Sequence, residues 1–241
     1  MRHMKQLRKH SWYYYFVCVF AISFIVFYPV QWLLLQRPSW YPAAHRYRSL
    51  WARIILTIWF VRYRVYNRQY FRDNPVIICS NHSSYLDILT ILAIFPKRTC
   101  FMAKSELSDI PLFGLFFKTI DIEVDRQSGE GGARSYRKAV KALHNNYNVV
   151  IFPEGGIHPD PQQIKPFKDG AFQLAIRQKT GIIPVGLPDN YKILPDEAKI
   201  AKPGKIRIIL HESLQTPDVT IKGIEGLKQS LFDILQKDLN S

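Results

Sequence analysis

The chain has 241 residues, 47% of them hydrophobic, with 33 Lys and Arg against 19 Asp and Glu and a formal net charge of +14. The length suits one domain with an appendage, the apolar fraction excludes general disorder, and a charged fraction of 22% excludes a bundle built of salt bridges. The positive surplus leaves two classes of partner, nucleic acid or an anionic membrane.

The charge sits at the start of the chain. The first acidic residue is Asp73, and twelve basic side chains precede it: Arg2, Lys5, Arg8, Lys9, Arg37, Arg46, Arg48, Arg53, Arg62, Arg64, Arg68 and Arg72. The remainder holds 21 of the 33 basic groups against all 19 acidic ones, a net of +2. From Ser11 to Gln36 there is no charge, and the run from Trp12 to Leu35 is apolar apart from scattered hydroxyls and Gln31. A bilayer needs about 20 apolar residues, so the run is long enough to cross one. Trp12 and the three tyrosines after it suit a headgroup belt. The run is too long for a secretory signal, and no small-x-small cleavage site follows it.

Basic residues on both flanks give no clean orientation for a single span. A second stretch, Leu50–Val61, is short, carries Arg53 and reads as an amphipathic interfacial helix. A hairpin that dips into the cytoplasmic leaflet satisfies both, turning near Pro29 or near Pro38 and Pro42; a single span is the alternative. In either case the arginines are expected at lipid phosphates, each worth roughly 1 kcal/mol near an anionic surface. Residues 1–72 are thus expected to be a membrane-anchoring two-helix segment and 73–241 an α/β domain. Nucleic acid is excluded as a partner, because the basic residues interleave with an apolar run and no nucleic-acid-binding motif is present.

Past Pro75, short apolar runs alternate with helical spacing. Strands are expected at Val76–Cys79, Thr99–Ala103, Ile120–Val124, Asn148–Phe152, Ile182–Leu187 and Lys205–His211. Helices are expected at Tyr85–Phe95, Ala133–Tyr147, Gly170–Lys179 and Leu227–Leu239. This order predicts an α/β fold: a mixed, mostly parallel sheet flanked by helices, with an N-terminal membrane-associated helical hairpin. Ligand sites in such sheets lie beyond the carboxyl ends of the strands. The three cysteines, Cys18, Cys79 and Cys100, have neither a disulfide framework nor metal-ligand spacing and read as small buried hydrophobes in a reducing compartment.

Three segments can carry chemistry. Asn81-His82-Ser83-Ser84-Tyr85-Leu86-Asp87 follows the first of these strands. His82 and Asp87 would lie about 140° apart on one ideal helix. They meet if His82 sits in the turn and Asp87 in the first turn of the helix. Asp87 would then fix the imidazole tautomer and leave the other nitrogen as a general base. The bland alternative is an N-capping box, Ser84-x-x-Asp87, with His82 an ordinary turn residue. Phe152-Pro-Glu-Gly-Gly156 follows another strand; Pro153 ends it, and Glu154 reaches the same sheet edge as His82, unless this is a plain strand-ending turn. Val124-Asp-Arg126 places an arginine after a third strand, where it suits a phosphate or carboxylate, although solvated arginines are commoner.

In order, these segments resemble the motifs of the glycerolipid acyltransferases with a His-x4-Asp box, the family that includes bacterial 1-acyl-sn-glycerol-3-phosphate acyltransferase. The box is His82 to Asp87, the second block is Val124-Asp125-Arg126, the third is Phe152 to Gly155, and the fourth is Ile182-Ile183-Pro184-Val185. Two further segments fit the family's pattern: Lys104-Ser-Glu106-Leu107 followed by Pro111-Leu-Phe-Gly114, and Phe167-Lys-Asp-Gly-Ala171. The resemblance spans roughly residues 70–215. It implies acyl transfer from acyl-CoA or acyl carrier protein to a lysolipid hydroxyl at the cytoplasmic face of a bacterial-type inner membrane. Neither a metal nor another cofactor is implied. His82 and Asp87 would be catalytic; Arg126, Glu154, Gly155, Lys104 and Lys168 would bind substrate. A backbone N–H near Gly155 is a candidate for the oxyanion. One departure matters: where much of the family continues Thr-Arg-Ser after the third motif, this chain has Gly156-Ile157-His158. That opens a second acceptor class, a lyso-aminolipid such as an ornithine or glycine lipid. A non-catalytic membrane-binding module, with His82 and Asp87 merely capping a helix, is the remote alternative.

Overall fold

A computed structural model describes residues 2–71, 75–125, 129–157, 160–196, 198–216 and 219–241, with backbone alone over residues 2–8. The elements in order are α1 (Arg2–Leu34), α2 (Tyr41–Ile58), β1 (Val61–Tyr66), β2 (Ile77–Ser80), α3 (Leu86–Ile94), β3 (Thr99–Lys104), α4 (Gly114–Thr119), β4 (Ile122–Val124), α5 (Gly129–His144), β5 (Asn148–Ile151), α6 (Gly170–Gln178), β6 (Ile182–Gly186), α7 (Asn190–Ile193), β7 (Gly204–Leu210) and α8 (Ile224–Leu239). The seven strands form one sheet in the order β1-β7-β6-β2-β5-β3-β4. Every pairing is parallel except β6 with β7. The expected α/β architecture is present.

The central strands are apolar because both of their faces are covered. Ile78, Val150 and Ile183 pack into the cluster on the side of α1, α2 and α3. Their neighbours Ile77, Val149 and Ile182 pack on the other side, with α5, α6 and α8. Each such fully buried side chain contributes roughly 1.5–3 kcal/mol. Parallel pairing of β6, β2, β5, β3 and β4 brings their carboxyl ends to one edge, and that edge carries the motifs.

The first third resolves one alternative and departs from expectation in three respects. First, of the two turns expected for the hairpin, near Pro29 or near Pro38 and Pro42, the chain takes the second: α1 runs through Pro29, and the turn is at Pro38–Trp40. Pro42 then falls in the first turn of α2, where a missing N–H costs nothing. Second, Val61–Tyr66 is a strand, paired in parallel register with β7. The expected boundary at residue 72 therefore falls after the sheet has begun. Arg62 and Arg64 project outward from this edge strand while Val61 is buried. Third, Arg48 does not meet lipid. It is buried, ion-paired with Asp121, donates to the Thr99 carbonyl at 2.8 Å and lies over the Phe101 and Phe116 rings. A guanidinium on the inner face of α2 needs that partner, because an unpaired buried charge is expensive. Arg37, Arg46, Arg53, Arg62, Arg64 and Arg68 are exposed; Arg72 lies outside the described residues. Fourth, Cys18 is exposed on α1, whereas Cys79 and Cys100 are buried and burial pushes both thiols well above their usual range.

The two helices form an antiparallel hairpin. Phe16 stacks on Trp59 and Phe27 on Tyr47, each at 4.5 Å between ring centroids, so later residues of α1 meet earlier residues of α2. The amino end of α1 is also tied down: the Ala201 N–H donates to the Lys9 carbonyl at 3.1 Å, and His10 Nδ1 lies 2.9 Å from the Lys199 carbonyl. Farther along, Phe24 stacks on Phe113 at 4.8 Å. The outer face stays apolar, with Ile22 and Ile25 each 64% exposed and Val26 73%, continued by Leu50, Ile54 and Ile58 of α2 and by Phe60. Lys9–Leu34 is long and apolar enough to cross a membrane. An exposed apolar surface of this extent marks an interaction with membrane or protein.

Candidate active site

The site begins where β2 ends. Its last residue, Ser80, leads into Asn81, whose amide brackets Leu187 after β6: Asn81 Nδ2 donates to the Leu187 carbonyl at 3.2 Å, and the Leu187 N–H donates to Asn81 Oδ1 at 2.8 Å. His82 comes next, in the turn and not on the helix. Its ring stacks on Phe152 from the end of β5, at 4.1 Å between centroids and 18° between planes. Its Nδ1 lies 2.9 Å from Asp87 Oδ2.

Asp87 sits in the first turn of α3 and is wholly buried. Its Oδ2 accepts, besides His82 Nδ1, the N–H groups of Ser83 at 2.8 Å and Ser84 at 2.9 Å. Its Oδ1 accepts from Asn190 Nδ2 at 2.8 Å. The Ser84 hydroxyl accepts the Leu86 N–H at 3.0 Å and donates to the Leu194 carbonyl at 2.6 Å. The expected meeting of His82 with Asp87 is present, and the same carboxylate oxygen also accepts the two N–H groups just ahead of the helix. Every neighbour of the Asp87 oxygens is a donor, so the network assigns the proton to Nδ1 and leaves the lone pair on Nε2. Among the described residues Nε2 has no hydrogen-bond partner, and the His82 side chain is 13% exposed, so it is reachable.

Glu154, expected to bind substrate, is brought to His82. It is buried, and each of its oxygens accepts one backbone N–H: Oε1 from His82 at 2.7 Å and Oε2 from Lys165 at 2.9 Å. Burial pushes its pKa up, against the two amide bonds and the His82 ring, which favour the anion. The residue is a bracket that ties the third motif to the backbone of the first. Gly155 has φ +76°, a left-handed conformation natural to glycine, and a Cβ there would lie 2.8 Å from Lys168 Cε and 3.0 Å from its Nζ. The Lys168 ammonium thus lies against the third motif. The Gly155 N–H donates to the Phe152 carbonyl at 3.0 Å and is already used within the turn. Lys104 is the exposed last residue of β3, in register with Val124, and so ends at the same edge. Among the described residues it makes no polar contact with the His82–Asp87 pair. Arg126 and His158 lie outside the described residues.

Several members of the site carried no usable sequence signal. The stacking of Phe152 and the bracket by Asn81 need the juxtaposition of β2, β5 and β6. Asn190 comes from 103 residues farther along. The Tyr85 hydroxyl is pushed above its usual range by partial burial and by Asp196 and Tyr13.

A second histidine–aspartate pair lies elsewhere. His211, just past β7, holds Asp238 of α8 at 2.7 Å through Nε2.

Both the sequence and the fold are similar to those of known proteins. The sequence profile of the family described as Acyltransferase matches residues 62–188. A 1-acyl-sn-glycerol-3-phosphate acyltransferase of Helicobacter pylori (strain J99) is 34% identical over 149 residues, which cover 61% of this chain and 62% of that protein. The chain thus spans about three fifths of that relative's length. A 1-acyl-sn-glycerol-3-phosphate acyltransferase of Limnanthes douglasii is 26% identical over 232 residues, covering 93% of this chain and 81% of that protein. The crystal structure of the 1-acyl-sn-glycerophosphate (LPA) acyltransferase PlsC from Thermotoga maritima superposes with a TM-score of 0.77 at 22% identity, covering 100% of this chain and 97% of that one. At that identity the likeness concerns the fold.

Proposed function

This chain belongs to the acyltransferase family, and from that premise we propose that it transfers a fatty acyl group from a thioester, acyl-CoA or acyl carrier protein, to the free hydroxyl of a lysophospholipid. The acceptor we favour is 1-acylglycerol-3-phosphate, giving phosphatidic acid, in keeping with the names of the Helicobacter and Limnanthes relatives. The observation that carries the reading is the His82–Asp87 pair, with Nδ1 held at 2.9 Å and Nε2 unpaired among the described residues.

In this mechanism Nε2 takes the acceptor's hydroxyl proton as the oxygen attacks the thioester carbonyl. The C–O bond forms, the C–S bond breaks, and the departing thiolate takes that proton from the imidazolium. Asp87 remains an anion throughout, orients the ring and stabilises the imidazolium. No serine or cysteine need carry the acyl group. The thioester is already activated, so the mechanism uses no metal or other cofactor. Glu154 positions His82 through its backbone. Lys104, Arg126 and Lys168 are assigned to the anionic head of the acceptor, a role supported by the Lys168 ammonium beside Gly155.

The exposed apolar face of α1 and α2 supports docking as a hairpin in the cytoplasmic leaflet of a bacterial-type inner membrane. An acceptor lying in that leaflet would reach His82 without leaving the lipid. The test is thiol release from one acyl-CoA and one acyl carrier protein donor across a panel of lysolipids, with His82→Ala as control. Turnover with 1-acylglycerol-3-phosphate, lost in the variant, is expected. Selective turnover of a lyso-aminolipid would move the acceptor to that class, which the Gly156-Ile157-His158 departure allows. No thiol release with any acceptor would leave a membrane-binding module and overturn the enzyme reading.

A further inference from the structure

We propose that Asn190 is a positioning residue for acyl transfer: it holds the second oxygen of Asp87 so that His82 keeps its tautomer and orientation. The inference rests on reading His82 and Asp87 as the catalytic pair. Asn190 is wholly buried at the start of α7. Its Nδ2 donates to Asp87 Oδ1 at 2.8 Å and to Thr90 Oγ1 at 3.1 Å. Its Oδ1 has no hydrogen-bond partner among the described residues. That asymmetry fixes the amide, because turned round it would aim its oxygen at a carboxylate oxygen. An asparagine kept for stability alone would ordinarily satisfy both ends.

Nor is Asn190 needed to hold its own segment in place. Leu187 is bracketed by the Asn81 amide, and the Leu194 carbonyl accepts the Ser84 hydroxyl. Asp189 is ion-paired to Arg207 of β7, Oδ2 lying 2.7 Å from Nε. The stretch is anchored on both sides, and Asn190 projects from it onto the one Asp87 oxygen that the first motif leaves unheld. The three donors on Oδ2 come from residues 82–84 and travel with the motif. Among the described residues Asn190 supplies the hydrogen bond to Oδ1 from outside the motif. Without it the carboxylate can rotate, and its grip on Nδ1–H loosens.

The test uses the full chain with three variants. Asn190→Leu removes the donor. Asn190→Ser retains a shorter one. Asn190→Asp donates only while protonated. Around that position the charged or titratable groups are Asp87, His82 and Glu154 of the two motifs, Asp189, Tyr191 and Lys192 beside it in sequence, and Arg207 on β7. A carboxyl placed against Asp87 titrates high, because two like charges cannot both form there cheaply. Asn190→Leu is expected to lower kcat on the order of 10²-fold, with KM for donor and acceptor changed less than about twofold. Asn190→Ser should recover part of kcat. Asn190→Asp should gain a falling alkaline limb in its kcat profile that wild type and Asn190→Leu lack. Nitrogen chemical shifts of His82 should report the Nδ1–H tautomer in wild type and a mixture in Asn190→Leu. Retention of kcat within about twofold in Asn190→Leu would overturn the proposal. So would a loss of kcat with an unshifted Asn190→Asp profile and an unchanged His82 tautomer, which would make Asn190 a residue of the fold only. Should Asn190→Leu fail to fold, the Asn190→Ser and Asn190→Asp profiles decide. If wild type itself transfers no acyl group, the catalytic reading fails on its own, and the His82 tautomer still decides the role of Asn190.

Discussion

Among the described residues, two histidine–aspartate pairs stand at nearly equal separations, 2.9 Å for His82–Asp87 and 2.7 Å for His211–Asp238. What surrounds them differs. His82 binds its aspartate through Nδ1, at the carboxyl edge of the parallel strands, and its Nε2 is unpaired among the described residues. Asp87 is wholly buried and saturated with donors from its own turn and from Asn190. His211 is bound through Nε2, the nitrogen that would otherwise be presented to a substrate. It follows β7, the strand that runs antiparallel to β6, and its N–H donates to the Pro184 carbonyl at 3.1 Å. Asp238 lies over Gly186, where any Cβ would collide with the Asp238 carboxylate. This second pair staples α8 to the sheet. The chemistry of such a pair is set by which nitrogen is occupied and at which strand end it stands.

Substitutions can sharpen this contrast. The largest effect belongs to the first pair. His82→Ala and Asp87→Asn should each lower turnover by about 10²–10⁴-fold, the range a general base supplies. His82→Ala should lower the melting temperature less than Asp87→Asn, because an amide has one acceptor oxygen where both carboxylate oxygens accept, so either the Ser83 and Ser84 N–H groups or Asn190 Nδ2 loses its partner. At the second pair the signs exchange. Asp238→Ala should cost about 1–3 kcal/mol in denaturant unfolding and leave kcat within about twofold. Gly186→Ala should destabilise comparably, by overpacking against Asp238. Combining it with Asp238→Ala should cost less than the two alone, since the obstructing carboxylate is gone. Equal additive costs would show that Gly186 is needed for some other reason.

Two titrations should give smaller effects. Arg207 and Lys192 outweigh the upward push of burial and hold Asp189 down to about 2. Its contribution is therefore complete above the ordinary carboxylate range and lost as pH falls toward about 2. Thermal unfolding from pH 5 to 2 should fall less steeply for Asp189→Asn than for wild type. Glu154 has the opposite sign. Its pKa is raised by burial, so stability is greatest below the usual carboxylate range and declines as pH rises through the raised value. Glu154→Gln should remove that decline.

The legibility of the molecule follows the range of the interactions. His82 and Asp87 are five residues apart, so their meeting was readable from a turn followed by a helix start. Six strands are readable because each is a short, largely apolar run. The seventh, Val61–Tyr66, alternates cleanly but carries Arg62 and Arg64, so that by sequence alone it reads as part of the basic membrane segment. Its pairing with β7 depends on residues about 140 positions away, as the register of Val61 with Gly204 requires. Arg48 looked like the arginines around it; only Asp121, 73 residues on, shows that it faces inward. Pro29 and Pro38 both read as turns in the sequence; a helix in an apolar environment tolerates proline, and the chain turns at Pro38. Asn190 could not be found locally at all, because its meaning lies in the oxygen it touches.

The central claim is that His82, and not His211, is the base for acyl transfer. The direct measurement is thiol release from acyl-CoA in the presence of 1-acylglycerol-3-phosphate, using wild type, His82→Ala and His211→Ala in phospholipid vesicles. Wild type and His211→Ala should turn over alike while His82→Ala falls to background. Near-normal turnover by a folded His82→Ala, or its loss in a folded His211→Ala, would contradict the account.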